Sequence, residues 1–132
     1  MLHSSIVGGS SASRVVNCPG SVALVQKMPP RPSSEHADRG TLLHDAIAGM
    51  LEDKIDSPIG MTYKGQVITE ELAAEKLAVA YKLLNEVDPD NKMEFVVETS
   101  VNFGDILPDV FGSADLLGRI GNRAIVLDWK FG

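Results

Sequence analysis

The fold is decided near the end of the chain by the stretch FGSADLLGRIGNRAIVLDWKFG, which covers residues 111–132. Gly121-Asn122 lies inside it, and this pair of residue types readily forms the tight turn of a β-hairpin. The segments before and after the turn, Phe111–Ile120 and Arg123–Phe131, are rich in apolar and β-branched residues. The stretch therefore predicts two antiparallel strands.

Two carboxylates and one ammonium group are predicted to share one face of this hairpin. The turn places Asp115 opposite Asp128, and directly opposed residues have Cβ atoms roughly 4.5–5.5 Å apart. Lys130 follows two residues later and points to the same face. Two ionised carboxylates about 5 Å apart repel by about 3 kcal/mol at an effective dielectric constant of ~20. A shared proton, the lysine or a divalent cation such as Mg²⁺ or Mn²⁺ must compensate them, unless the hairpin is solvated and carries only one Asp–Lys ion pair.

Helices precede the hairpin in the sequence. Residues 1–33 are predicted to form an N-terminal helical segment, and residues 34–90 to form two helices, the second capped by Thr69. Residues 91–132 are predicted to form a three-stranded antiparallel meander whose first strand is Glu94–Val101. The sequence therefore predicts one α+β domain over its 132 residues.

Composition excludes several classes of protein. No apolar run reaches the roughly 18 residues of a membrane span, and the N-terminus lacks a signal-peptide pattern, so we expect a cytoplasmic protein without a membrane partner. The net charge of −6 argues against a general nucleic-acid coating protein. Cys18 is the single cysteine of the chain, which excludes an internal disulfide and an iron–sulfur site made by this chain alone. We expect it to be a small buried residue.

Four motifs resemble those of RecB-like nucleases in the PD-(D/E)XK superfamily. Gly112-Ser113-Ala114-Asp115 and Val126-Leu127-Asp128-Trp129-Lys130 are similar to the G-x-x-D and D-x-K motifs, and Gly40-Thr41-Leu42-Leu43-His44 to the G-x-x-x-H helix motif. Ser11-Ala12-Ser13-Arg14 with Cys18-Pro19 is similar to an N-terminal S-x-S-R and C-P signature. The matches occur in the order of the family, span residues 10–132, and resemble a phage-associated branch.

The resemblance implies a metal site and its cofactor. Asp115 and Asp128 would be metal ligands, His44 would be a third ligand from its helix, and the ion would be Mg²⁺ or Mn²⁺. Lys130 would orient or help to activate the attacking water and stabilise negative charge on the phosphate. Without the motif, a single histidine on a helix is more often a surface or core residue than a metal ligand. The proposed role of His44 therefore depends on the motif.

Two further residues, Glu98 and Arg14, are candidates for the site, and each has a structural alternative. Glu98 on the first strand is either a further acid near the metal or a solvent-facing strand residue. Arg14 is either a phosphate contact or a surface residue of the helical segment. Asp109 follows Pro108, but it lies six residues before Asp115, roughly 20 Å along an extended strand, so Pro108-Asp109 is predicted to be a turn.

The function that the resemblance implies is metal-dependent cleavage of DNA. We expect a phosphodiester-hydrolysing nuclease with a restriction-endonuclease-like core, acting in the full-length protein as a phage or prophage exonuclease in recombination. The alternative is a catalytically silent nuclease-fold module that binds DNA or a partner protein.

The last strand is mostly apolar on both faces. The resemblance implies a further helix and strand after the D-x-K strand, so we expect residues 1–132 to be the N-terminal part of a nuclease domain. An open apolar strand edge pairs readily with another chain. We therefore expect self-association through this edge, and an exposed face that includes Trp129.

Overall fold

The computed structural model describes Ser4 and residues 6–132 of the chain. Residues 1–3 and Ser5, which belong to the predicted N-terminal helical segment, lie outside the described residues. The fold is mixed α+β, with helices followed by a three-stranded antiparallel sheet. This confirms the predicted fold class.

Two compact units divide the chain. The first combines the N-terminal part, up to Pro32, with Glu98–Ala114. The second combines Ser33–Val97 with Asp115–Gly132 and contains the hydrophobic core described below. The central residues of the candidate site belong to this second unit.

Side-chain caps begin the two longer helical regions. The Ser34 hydroxyl accepts the N–H of Ala37 at 3.2 Å, and the predicted Thr69 cap is confirmed, because its hydroxyl accepts the N–H of Leu72 at 3.2 Å. A π-helical segment, Ala73–Leu77, joins the last two helices. No helix in the described part of the chain is long and apolar enough to cross a membrane. The α-helices are α1 (Ala12–Asn17), α2 (Ser21–Gln26), α3 (Glu35–Leu51), α4 (Glu70–Leu72) and α5 (Ala78–Val87).

The strands form a small hairpin and a larger sheet. The small hairpin, an antiparallel pair of two-residue strands, lies between α3 and α4. The larger sheet has the order β3-β4-β5, as expected for a meander. The strands are β1 (Thr62–Tyr63), β2 (Gln66–Val67), β3 (Glu94–Asn102), β4 (Phe111–Ile120) and β5 (Arg123–Leu127).

The predicted register of the last hairpin is confirmed. Ile120 pairs with Arg123, and the ladder continues without a bulge to the pair Leu116 and Leu127. Gly121 adopts φ +60°, a conformation that favours glycine. The ladder therefore ends immediately before the two aspartates that the turn was predicted to place opposite each other.

The core of the second unit lies between α3, the α4–α5 region and the hairpin. Helix α3 contributes the apolar face expected from its helical spacing, and Leu116 and Trp129 join it from the hairpin. Leu116 and Ala46 have no exposed surface. The buried members of this core cluster are Leu42, Leu43, Ala46, Ile47, Ile68, Leu77, Ala80, Leu84, Leu116 and Trp129.

Strand β5 is shorter than predicted and corrects the interpretation of Trp129. The strand was expected to reach Phe131, but it ends at Leu127. Trp129 was expected on an exposed face, yet only 5% of it is exposed, because its side chain completes the core cluster. Pairing of the β5 edge with a second chain stays a prediction, and it does not involve an exposed Trp129 face.

Cys18 also differs from expectation, because it is exposed. The cause is local: it follows α1 and precedes α2, two six-residue helices in which no residue is buried. A position between such short helices has no core to enter.

Replacing Leu116 with alanine is expected to lower the free energy of unfolding by about 2–5 kcal/mol, because it leaves a cavity in the core. Val126→Ala on β5 is the matched control, since Val126 is 65% exposed, and its cost is expected to be about 1 kcal/mol or less. Urea unfolding followed by circular dichroism measures both. Equal losses would contradict the location of the core.

Candidate functional site

Asp115 is a buried carboxylate whose partners are in place. It is 8% exposed, and its Oδ2 atom accepts the backbone N–H of Trp129 at 2.7 Å and lies 3.2 Å from Nε2 of His44. A buried charge is costly unless it is paired and hydrogen-bonded, so these contacts keep the carboxylate stable in the interior. They also explain the end of β5, since the Trp129 N–H binds a side chain instead of a strand neighbour.

His44 presents one ring nitrogen to the backbone of its own helix and the other to the hairpin. Its Nδ1 atom lies 2.7 Å from the carbonyl oxygen of Gly40, one helical turn earlier. A carbonyl only accepts hydrogen bonds, so Nδ1 carries a proton. The G-x-x-x-H spacing thus anchors Nδ1 and restrains the ring, as outer hydrogen bonds do for metal-binding histidines.

The Nε2 atom of His44 faces two oxygen atoms. It lies 3.2 Å from Oδ2 of Asp115 and 3.1 Å from the carbonyl oxygen of Trp129. With Nδ1 protonated, a neutral imidazole would direct the Nε2 lone pair at two other electron-rich atoms. A second proton on the ring resolves this repulsion, and so does a cation bound by the three atoms.

The donor set suits the ion that the resemblance implies. One carboxylate oxygen, one carbonyl oxygen and one imidazole nitrogen are ligand types compatible with Mn²⁺, and the two oxygens are compatible with Mg²⁺. Of the three predicted ligands, the structure brings His44 and Asp115 together. It gives Asp128 a different partner, and among the described residues no three His, Cys, Asp or Glu side chains form a group able to hold a metal.

Asp128 and Lys130 form an exposed ion pair at the edge of this site. The Asp128 carboxylate is 55% exposed and the Lys130 side chain 82%, and the ammonium contacts Oδ2 of Asp128. The hydrogen bond to Asp128 is the largest influence and raises the pKa of Lys130 above its ordinary value. Desolvation lowers this pKa, and the charges of Asp128 and Asp115 each raise it by less. Both carboxylates therefore act on the same ammonium group, as the register predicted.

A cavity of about 620 Å³ opens beside the ion pair. Residues 128–131 form one part of its lining, and α5 with the preceding π-helical segment forms the other. Lys76 and Lys82 lie on the helical side, and Lys130 on the hairpin side. This volume is typical of ligand-binding clefts.

The two further candidates lie in the first unit. Arg14 on α1 donates a hydrogen bond from Nη1 to the Ser21 hydroxyl at 2.8 Å. Glu98 is exposed, as its structural alternative predicted, and it has φ +48°. It lines a cavity of about 580 Å³ together with Ser100, Asp109 and neighbouring residues.

Pro108-Asp109 is a turn, as predicted. The N–H of Val110 donates to the carbonyl of Leu107 at 3.4 Å, and Asp109 has φ +64°. Aspartate tolerates this left-handed conformation better than most residues. The turn therefore explains the Pro108-Asp109 pair.

Sequence reasoning missed two contributors to the site. The Trp129 carbonyl is a backbone group and has no side-chain signature, although its place between the Asp and Lys of the D-x-K motif marks it. The Phe131 ring contacts the His44 imidazole at a centroid distance of 5.1 Å. The aromatic residue two positions after Trp129 was the only sequence hint of this contact.

Residues 3–132 match the sequence profile described as "Protein of unknown function (DUF2800)", and the chain belongs to this family. No curated protein and no solved structure matches it. The description of the family assigns no activity, so a function has to be argued from the site.

Removing the Asp115 carboxylate is expected to destabilise the protein. Asp115→Ala leaves the buried Trp129 N–H without its acceptor, at a cost of about 1–3 kcal/mol. Asp128→Ala removes only an exposed ion pair and is expected to change the free energy of unfolding by about 1 kcal/mol or less. Denaturant unfolding at neutral pH compares the two. A larger loss for Asp128→Ala would contradict the assignment of Asp115 as the structural acid.

The Lys130 ammonium is expected to titrate above its ordinary pKa of 10.5. Because the folded-state pKa is raised, any stabilisation by the ion pair is present below the ordinary value and is lost as the pH rises through the folded value. NMR of the Lys130 side chain measures this titration. Asp128→Asn is expected to lower the pKa of Lys130 more than Asp115→Asn does, since it removes the negative charge of the residue that the ammonium contacts directly. The opposite order would refute the pairing.

Proposed function

We propose that this member of the DUF2800 family is a divalent-metal-dependent deoxyribonuclease, and that the full-length protein hydrolyses phosphodiester bonds as a phage or prophage exonuclease in recombination. DNA is its proposed substrate. The motif order that resembles RecB-like nucleases supports the class of reaction. The geometry of His44, Asp115 and Trp129 supports the use of a metal.

The observation that carries the proposal is the convergence of three electron-rich atoms on one point. Nε2 of His44 has both Oδ2 of Asp115 and the Trp129 carbonyl oxygen within 3.2 Å, and Nδ1 is already committed to Gly40. A cation at this point would relieve the repulsion among the three atoms. The groups proposed to hold Mg²⁺ or Mn²⁺ are therefore His44, Asp115 and the Trp129 carbonyl. Asp128 directly precedes Trp129 in the chain.

A bound divalent ion supplies Lewis-acid chemistry, because it lowers the pKa of a coordinated water and polarises a phosphoryl oxygen. The residues of the chain provide binding and charge. Asp115, held by the Trp129 N–H, keeps a fixed negative charge in the interior. The Gly40 carbonyl anchors Nδ1 of His44, while Nε2 faces the hairpin.

Lys130 is the group proposed to meet the phosphate. Its ammonium is 82% exposed and is held by Asp128, so it is available to solvent while its position is restricted. Lys130 is cationic at neutral pH, as an ordinary lysine is, and its pKa is raised further above neutrality. A preorganised positive charge at the scissile phosphate stabilises the negative charge that develops in the transition state.

The cavity beside the ion pair is the proposed site of the DNA strand. It is lined by Asp128 and Lys130 and so is continuous with the candidate catalytic groups. Lys76 and Lys82 on its helical wall offer cationic groups to the phosphate backbone. Glu75 and Glu86 line the same wall, and Lys76 is paired with Glu75 at 3.1 Å.

A second candidate function is a silent nuclease-fold module that binds DNA or a partner protein. One observation favours it: Asp128 is already paired with Lys130, and Asp115 accepts the Trp129 N–H and lies beside His44, which donates to it when both ring nitrogens carry protons. Such a network is satisfied without a metal. The two candidates differ in whether the protein binds a divalent ion.

The test is a nuclease assay on the full-length protein with Mg²⁺ or Mn²⁺, using linear single- and double-stranded DNA. Wild-type protein is expected to cleave, and a chelator to stop cleavage. Asp128→Ala and Lys130→Ala are each expected to slow cleavage by about 10²–10³-fold. Asp90→Ala is the matched control, since Asp90 is an exposed acid paired with Lys92.

Equal cleavage by wild type and Asp128→Ala would rule out the catalytic assignment. Calorimetric titration with Mn²⁺ separates the two candidates. A silent module predicts DNA or partner binding without metal binding or cleavage, whereas the nuclease predicts metal binding that Asp115→Asn weakens.

A further inference from the structure

Phe131 and His44 form a close aromatic pair. Their ring centroids are 5.1 Å apart and their planes meet at 86°, which is the edge-to-face arrangement that aromatic rings prefer. Phe131 is half-buried and packs against the core cluster, so its own ring is held by neighbours other than His44. It is therefore able to restrict the imidazole.

The imidazole needs such a restraint. The His44 side chain is 27% exposed, so burial alone does not fix it. The hydrogen bond to Gly40 anchors Nδ1, but a hydrogen bond tolerates a range of angles, so the ring plane keeps some freedom to tilt. The location of Nε2, on the far side of the ring, depends on that plane. A ring packed at right angles to the imidazole removes this freedom.

We infer that Phe131 is a positioning residue that holds the His44 imidazole so that Nε2 faces Asp115 and the Trp129 carbonyl. The segment 129–131 thus contributes a backbone acceptor at Nε2, the cationic Lys130 and the ring that sets the imidazole plane. The consequence for metal binding rests on the proposed function. The consequence for the imidazole itself does not.

Phe131→Leu tests this inference, because leucine retains apolar bulk but lacks the ring. It is expected to weaken binding of Mn²⁺, measured by calorimetry with the metal alone, by about 10–100-fold, as the loss of outer contacts does at other metal sites. Phe131→Tyr retains the ring and is expected to restore affinity close to that of wild type. Tyr81→Leu is the matched control, since Tyr81 is a half-buried ring on the same core cluster.

A second readout does not depend on the metal. Nuclear Overhauser contacts between the His44 ring protons and the Trp129 backbone are expected in wild type, Phe131→Tyr and Tyr81→Leu. In Phe131→Leu these contacts are expected to be lost or averaged. Thermal unfolding confirms that each variant is folded. A purely structural role for Phe131 would lower the melting temperature without moving the imidazole.

The outcomes separate the inference from the proposed function. If folded Phe131→Leu keeps the wild-type His44 contacts, or binds Mn²⁺ as tightly as wild type, the positioning role is refuted. If wild type binds no Mn²⁺, the proposed metal-dependent function fails, and the His44 contacts alone decide whether Phe131 positions the imidazole.

Discussion

One oxygen atom, Oδ2 of Asp115, connects the end of the sheet to helix α3. It accepts the Trp129 N–H at 2.7 Å and lies 3.2 Å from the His44 ring. Because a buried carboxylate requires such partners, this atom determines where β5 ends and where the imidazole lies. The Trp129 side chain then enters the core, which fixes the backbone on which the site is built.

The two aspartates of the hairpin have different environments and therefore different roles. Asp115 is almost fully buried, whereas the Asp128 carboxylate is 55% exposed. Burial with two partners gives Asp115 a fixed position, and exposure leaves Asp128 free to hold Lys130 near the cavity. The like charges that the hairpin turn places opposite each other have different partners: Asp115 lies against the Trp129 N–H and the His44 ring, and Asp128 contacts Lys130.

The features predicted correctly are those that depend on residues close together in the sequence. The turn at Gly121-Asn122 fixed the register, because a tight turn leaves few alternatives, and Thr69 marked the start of α4 through its own hydroxyl. The end of β5 and the burial of Trp129 depend on contacts between residues distant in sequence, such as Asp115 with Trp129. No periodicity encodes such a contact, so both were predicted wrongly.

The same distinction applies to the site. The hairpin aspartates and Lys130 followed from register and charge, whereas the position of His44 near Asp115 was an expectation that only the motif supported. The structure brings the two together. The carbonyl of Trp129 has no side-chain signal, because every residue carries one and only the three-dimensional arrangement selects it.

The proposed cation site is formed by His44, Asp115 and the Trp129 carbonyl. Anomalous diffraction from crystals soaked in Mn²⁺ shows whether a metal binds there. We expect one strong peak at bonding distance from Nε2 of His44, Oδ2 of Asp115 and the carbonyl oxygen of Trp129. A peak elsewhere in the protein, or none at these three atoms at saturating Mn²⁺, would contradict the proposed site.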